Sequence, residues 1–218
     1  MTLPFTVEQF IEVFRQYNMS IWPMQVIAYL FGAAAVLLVF HKINLSDRIT
    51  TLVLSFFWLW MGISYHWMHF AFINKAAYIF GAIFVFQAFL FVLAGLIRKD
   101  LSFGYKQGVP SAMGIIFVFY GMIGYPLLGY FLGHIYPASP CFGVAPCPTT
   151  IFTFGLLLLT VKRVPKYLLI IPLIWSFIGF TAALKLGIKE DIGLLIAGVA
   201  TLILTIKRDK TDVQAQRG

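Results

Sequence analysis

Residues 76–97 read AAYIFGAIFVFQAFLFVLAGLI, an uncharged run whose one strongly polar side chain is Gln87, before Arg98 and Lys99 close it. As a helix rising 1.5 Å per residue it would extend about 33 Å, enough to cross the roughly 30 Å hydrocarbon core of a bilayer. Inside lipid only helices and closed barrels satisfy their own backbone groups. The run lacks the alternation of a barrel strand, so it predicts a transmembrane helix.

Six further blocks have the same character, over approximately 20–40, 50–71, 109–132, 149–161, 167–185 and 191–206. The 218-residue chain is 61% hydrophobic, 17% aromatic and 11% charged, with a mean hydropathy of +0.90. Soluble domains carry about twice that share of charge. The sequence therefore predicts an all-α integral membrane protein with seven transmembrane helices in one domain, residues 1–206, and a polar cytoplasmic tail over 207–218.

Basic residues give the sidedness, because loops rich in Lys and Arg stay cytoplasmic. Lys42, Arg48, Arg98, Lys99, Lys106, Lys162, Arg163, Lys166, Lys207, Arg208, Lys210 and Arg217 fall on one side of the seven blocks, and only Arg15, Lys75, Lys185 and Lys189 on the other. The amino terminus is expected outside and the carboxyl terminus in the cytoplasm of a bacterial inner membrane. The formal charge of +8 is thus an orientation signal spread over short loops, which argues against nucleic-acid binding and leaves the bilayer as the principal partner. No basic leader with a small-residue cleavage site precedes the first block. Instead residues 5–17 predict an outer interfacial helix: Thr6 and Gln9 form a capping box, Phe5 and Phe10 a hydrophobic staple, and Phe10, Ile11, Phe14 and Tyr17 an apolar stripe.

At an offset of 117 residues Trp58 aligns with Trp175, Gly62 with Gly179, Asn74 with Asp191 and Gly81 with Gly198. That pattern suggests two parallel three-helix units joined by span 4. In this arrangement the chain resembles the SWEET sugar transporters, whose repeats each contribute a Trp and an Asn to a central pocket. The resemblance implies Trp58 with Asn74 and Trp175 with Asp191 as pocket residues. Asp191 departs from the family's Asn, and span 2 lacks a proline. PFTVEQFIEVFRQYN, YHWMHFAFINKAAYIFGAIFVFQA and HIYPASPCFGVAPCPTTIFTFGLLLL resemble a bacterial multi-pass membrane family designated domain of unknown function 6064. No established activity or functional residue comes with that likeness.

The outer ends of the spans collect the reactive side chains. In SYHWMHF, residues 64–70, His66 and His69 stand three apart and are expected on one helix face, where with His134 they could hold zinc, copper or iron. The alternatives are interfacial anchors and contacts to a transported ligand. Cys141 and Cys147 are spaced to close a disulfide in an oxidising compartment, against free thiols or soft-metal binding. Thr149 or Thr150 is expected to cap span 5. Trp58, Trp175, Gln87, Asn74, Asp191 and Tyr65 are expected to face the bundle interior and line a central cavity open to the outside, or to bond across helices. Asp191, an acid at a helix start, is the candidate for proton coupling.

The chain has no G-x-S-x-G, H-E-x-x-H or phosphate-loop motif, and spans 5–7 carry no histidine, which argues against a hydrolase. These features point first to a transporter or binding protein for a small solute or proton. A metal-binding membrane enzyme or redox protein using His66, His69 and His134 is the second reading. A non-catalytic membrane partner or sensor is the third. Assembly into oligomers is compatible with all of them.

Overall fold

The structure, a computed structural model, describes residues 4–215. Among these residues the helices are α1 (Val7–Ser20), α2 (Met24–Phe40), α3 (Ser46–Trp60), α4 (Ala77–Val92), α5 (Val109–Phe119), α6 (Tyr125–Phe131), α7 (Pro146–Leu158), α8 (Tyr167–Leu186) and α9 (Ile192–Ala215). Wider π-helical turns extend α3 through Met61–Trp67 and α4 through Leu93–Ile97, and Tyr120–Gly124 joins α5 to α6. Extended pairing among the described residues is confined to one bridge, between Phe103 and Thr160.

Each of the seven apolar blocks contains helix. Four continuous helical segments are long and apolar enough to cross a membrane: Ser46–Phe72, Ala77–Ile97, Val109–Phe131 and Tyr167–Leu186. The helices α1 and α2, bent by 84°, meet the same criterion as a pair, whereas α7 is shorter. Ile79, Phe86 and Phe89 on α4 and Ile170, Phe177 and Leu184 on α8 are more than half exposed, an apolar face that suits lipid chains rather than water. The polar segment that begins at Lys207 continues α9 as far as Ala215, so it is not a separate element there. Residues 216–218 of the expected tail lie outside the described residues.

At the amino terminus the expected local signals all form. The Thr6 hydroxyl accepts from the Gln9 amide at 3.3 Å and the Gln9 side chain from the Thr6 amide at 2.9 Å, while the Phe5 and Phe10 rings stack at 5.8 Å. The apolar stripe then seats α1 on the bundle, with Phe14 stacked on Tyr65 at 5.2 Å. The Tyr17 hydroxyl accepts from the Trp60 indole at 2.9 Å and donates to the Val144 carbonyl at 2.9 Å.

The bundle is built around α7. Every residue of that helix except Cys147 is buried, and it packs against α5, α8 and α9. Glycines permit the closest crossing: a Cβ on Gly155 would stand 2.7 Å from the Gly114 carbonyl oxygen, and one on Gly114 would stand 2.8 Å from the Gly155 oxygen. Gly62 and Gly81 make an equivalent contact between α3 and α4. Their counterparts at the 117-residue offset do not, since Gly179 faces Leu194 and Gly198 faces Ser176. Thr149 is not the cap of α7, whose flanking residue is Ala145. Prolines at 146 and 148 move the helix start upstream, and the Thr149 hydroxyl instead bonds the Ala145 carbonyl at 2.7 Å and the Gly143 amide at 2.9 Å.

Two prolines within the helical segments remove amide donors and leave carbonyls one turn earlier without their usual partners. Neighbouring side chains supply the missing donors. Four residues before Pro172, the Leu168 carbonyl accepts from Gln87 Nε2 at 3.1 Å. Four residues before Pro126, the Met122 carbonyl accepts from the Tyr29 hydroxyl at 2.8 Å. At the opposite end of the bundle Asp47 accepts from the Phe103 amide at 2.7 Å and the Ser102 hydroxyl at 3.1 Å. Lys42 also bonds Asp47 and the Phe103 carbonyl, and Arg208 reaches the Thr160 carbonyl at 3.0 Å.

Two substitutions test this packing. Gly155→Ala places a methyl against a backbone oxygen that cannot move aside, and is expected to lower stability by about 1–3 kcal/mol in thermal unfolding of the detergent-solubilised protein. Gln87→Leu strands the Leu168 carbonyl at a cost of about 1–3 kcal/mol. Adding Pro172→Ala, which restores a backbone donor, is expected to recover most of that loss; an additive double mutant would show that the two positions act independently.

Candidate functional site

Where α1 meets the bundle, a cavity of about 180 Å³ lies between α1, the start of α4, the start of α7 and the part of α8 from Trp175 to Leu186. Phe5 just before α1 and Phe10 and Phe14 on it border the cavity, with Tyr65 from the π-helical extension of α3, Phe70 from the turn that follows, and Phe80 and Trp175 from α4 and α8. Its polar border is sparse: Asn74, Cys147, Thr181, Lys185 and Asp191. Four of the six expected cavity residues, Tyr65, Asn74, Trp175 and Asp191, therefore come together. Asn74 also caps the turn into α4, its side-chain oxygen accepting from the Ala76 amide at 3.1 Å.

Trp58 and Gln87 do not border this cavity. Both are fully buried between helices, the Trp58 indole donating to the Thr153 hydroxyl of α7 at 3.1 Å and Gln87 to α8 as described above. The expectation of interhelical hydrogen bonds thus holds for these two residues, while the Trp175 indole nitrogen finds no hydrogen-bond partner.

Asp191 closes the wall of the cavity. It is only 4% exposed, and its Oδ1 accepts from the Tyr125 hydroxyl at 2.6 Å. Cys147 borders the same cavity. The neighbour of Asp191 in the chain, Glu190, is fully buried, bonded through Oε1 to His134 Nδ1 at 2.6 Å, with Oε2 lacking a partner. The Glu190 backbone carbonyl accepts from the Tyr120 hydroxyl at 2.7 Å.

Five residues separate the two tyrosines, which in an α-helix would place them about 140° apart. The π-helical turn over Tyr120–Gly124 brings them to the same acidic pair, with ring centroids 6.3 Å apart. Tyr120, Tyr125 and Glu190 are the residues of this cluster that sequence patterning did not propose as site residues. The available signal was Pro126 following Gly121 and Gly124, which marks the span as unable to remain regular helix.

The histidines separate. A π-helical turn carries His66 and breaks before His69, so the three-residue spacing no longer puts both on one face. His66 is fully buried and neither ring nitrogen finds a partner. It is packed among Tyr65, Phe70, Phe80, Phe84 and Trp175, with centroids 4.7 Å from Phe84 and 5.2 Å from Trp175. His69 turns to α1, bonding the Ser20 hydroxyl at 3.1 Å and the Ser64 carbonyl at 2.7 Å. His134 pairs with Glu190 instead of the other two histidines. Among the described residues no group of three or more His, Cys, Asp and Glu side chains is placed to hold a metal ion, which corrects the expected site of His66, His69 and His134.

The cysteines also part company. Cys141 and Cys147 are free thiols, because the loop turns Cys141 toward the Ser139 carbonyl at 3.6 Å while Cys147 enters α7 beside Asp191. Burial pushes the Cys141 thiol up to about 12, which makes it a poor nucleophile.

Together these features define an all-helical protein with several helices able to cross a membrane and an aromatic cavity with a buried acid in its wall. The chain belongs to the family of unknown function DUF6064, whose model matches residues 7–216. No curated protein and no solved structure matches it, and a likeness to the SWEET transporters is not shown.

The cysteine geometry predicts that thiol titration after unfolding in SDS, without reductant, recovers both cysteines of the chain as free thiols. Neither should react at a measurable rate in the folded protein on the same timescale.

Proposed function

We propose that this chain is a seven-span protein of the bacterial inner membrane that binds a small solute in the aromatic cavity and passes it across the bilayer. The observation that carries this reading is a largely apolar cavity with a carboxylate, Asp191, buried in its wall. A few polar groups set in an apolar pocket are the usual makings of a small-molecule site. Buried ionisable groups in membrane proteins commonly serve substrate or proton pathways.

The amino terminus lies outside, the carboxyl terminus in the cytoplasm, and the cavity at the outer end of the bundle. Support comes from the uneven spread of Lys and Arg between the alternate connections of the seven apolar blocks. The short α7 is the fifth span, surrounded by the other helices, so its length need not match the full lipid thickness. With no nucleotide-binding motif in the chain, transport is facilitated or coupled to an ion, and Asp191 is the proton-coupling group.

The test uses proteoliposomes loaded with a pH-sensitive dye and a panel of small amines, amino acids and sugars. At least one solute is expected to evoke a lumenal pH change in the wild type. Asp191→Asn is expected to abolish that change while leaving expression and insertion intact. An unaltered response in the variant would remove Asp191 from the mechanism, and silence across the panel would count against coupled transport.

A further inference from the structure

The cavity makes a chemical demand that the solute reading leaves open. Its acid lies inside, where Asp191 is 4% exposed and is held by a neutral donor, the Tyr125 hydroxyl, at 2.6 Å. The neighbouring Glu190, rather than Asp191, makes the direct contact to His134, at 2.6 Å. The basic group bordering the cavity, Lys185, is exposed at its rim. A carboxylate buried among neutral groups gains strongly from a cationic partner.

Aromatic walls strengthen that preference. Tyr65 borders the same cavity as Asp191, and Phe80 and Trp175 meet edge to face at 5.5 Å as they border that space. Ring faces attract ammonium groups, and aromatic enclosures are a recurrent way of binding them. Size narrows the class further. The volume of about 180 Å³ slightly exceeds the roughly 150 Å³ of an apolar cavity that binds benzene. One ring with a short side chain fits that volume, whereas a sugar would bring hydroxyl groups that these walls cannot satisfy.

Resting on the cavity reading above, we propose that the ligand is a small organic cation, a single ring or short alkyl group bearing an ammonium, with the ammonium against Asp191 and the apolar part against Tyr65, Phe80 and Trp175. Anionic and neutral compounds of the same shape bind more weakly.

Isothermal titration calorimetry on the full chain in nanodiscs tests this with phenethylamine, its neutral analogue 2-phenylethanol and the anion phenylacetate. Phenethylamine is expected to bind at least about tenfold more tightly than 2-phenylethanol, with phenylacetate weakest. In Asp191→Asn, which keeps the shape of the site, the preference over 2-phenylethanol is expected to vanish. Ala182→Phe, which fills the cavity, is expected to abolish binding of both.

If 2-phenylethanol or phenylacetate binds the wild type as tightly as phenethylamine, the cationic class is wrong while the cavity remains a solute site. The same holds if Asp191→Asn keeps the preference. If none of the three binds, or if Ala182→Phe leaves binding unchanged, the cavity is not the solute site and both readings fall. The wild-type ranking does not depend on either variant folding.

Discussion

In an apolar interior every backbone carbonyl needs a donor, and the arrangement of this bundle follows from where that need is greatest. Pro172 and Pro126 each remove a donor from a helical segment that has no water to replace it. Gln87 answers the first across the α4–α8 contact, and the Tyr29 hydroxyl answers the second from α2 to the π-helical turn that joins α5 to α6. These bonds are specific in a way that apolar packing between lipid-like side chains is not. A sliding helix would lose its carbonyl's partner, so each bond sets the register of two helices.

That register makes room for a short central helix. Gly114 and Gly155 let α5 and α7 approach until backbone touches backbone, and the Trp58 indole on α3 holds α7 through Thr153. Because α7 begins only at Pro146, the end of the bundle above it is filled by other parts of the chain. The amphipathic α1 covers it with Phe5, Phe10 and Phe14, and the space left beneath those rings is the cavity. The same short helix brings Cys147 to the cavity that Asp191 borders. The irregular helical turns matter for the same reason: the one over Tyr120–Gly124 delivers two tyrosines to the acidic pair, and the one over Met61–Trp67 sends His66 inward and frees His69 to bond α1.

Composition and apolar run length were sufficient to establish an all-helical chain with helices able to cross a membrane, because burying the backbone in lipid leaves few alternatives. The capping box of Thr6 and Gln9 and the staple of Phe5 and Phe10 were equally legible, since each depends on residues within one helical turn of the cap. The local rules failed at SYHWMHF and at Thr149. There a π-helical turn and two early prolines changed the geometry on which the spacing arguments relied.

Only the tertiary structure decided which polar residues share a site. Gln87 and Asp191 were both expected to line one cavity, yet one bonds a carbonyl left open on another helix and only the other borders the cavity. The same holds for the cysteines, close in sequence but turned to different neighbours, and for His134, which pairs with an acid 56 residues away. Sequence periodicity says which residues turn away from lipid. Which helix they then meet is set by packing between segments far apart in the chain, and no local pattern carries that information.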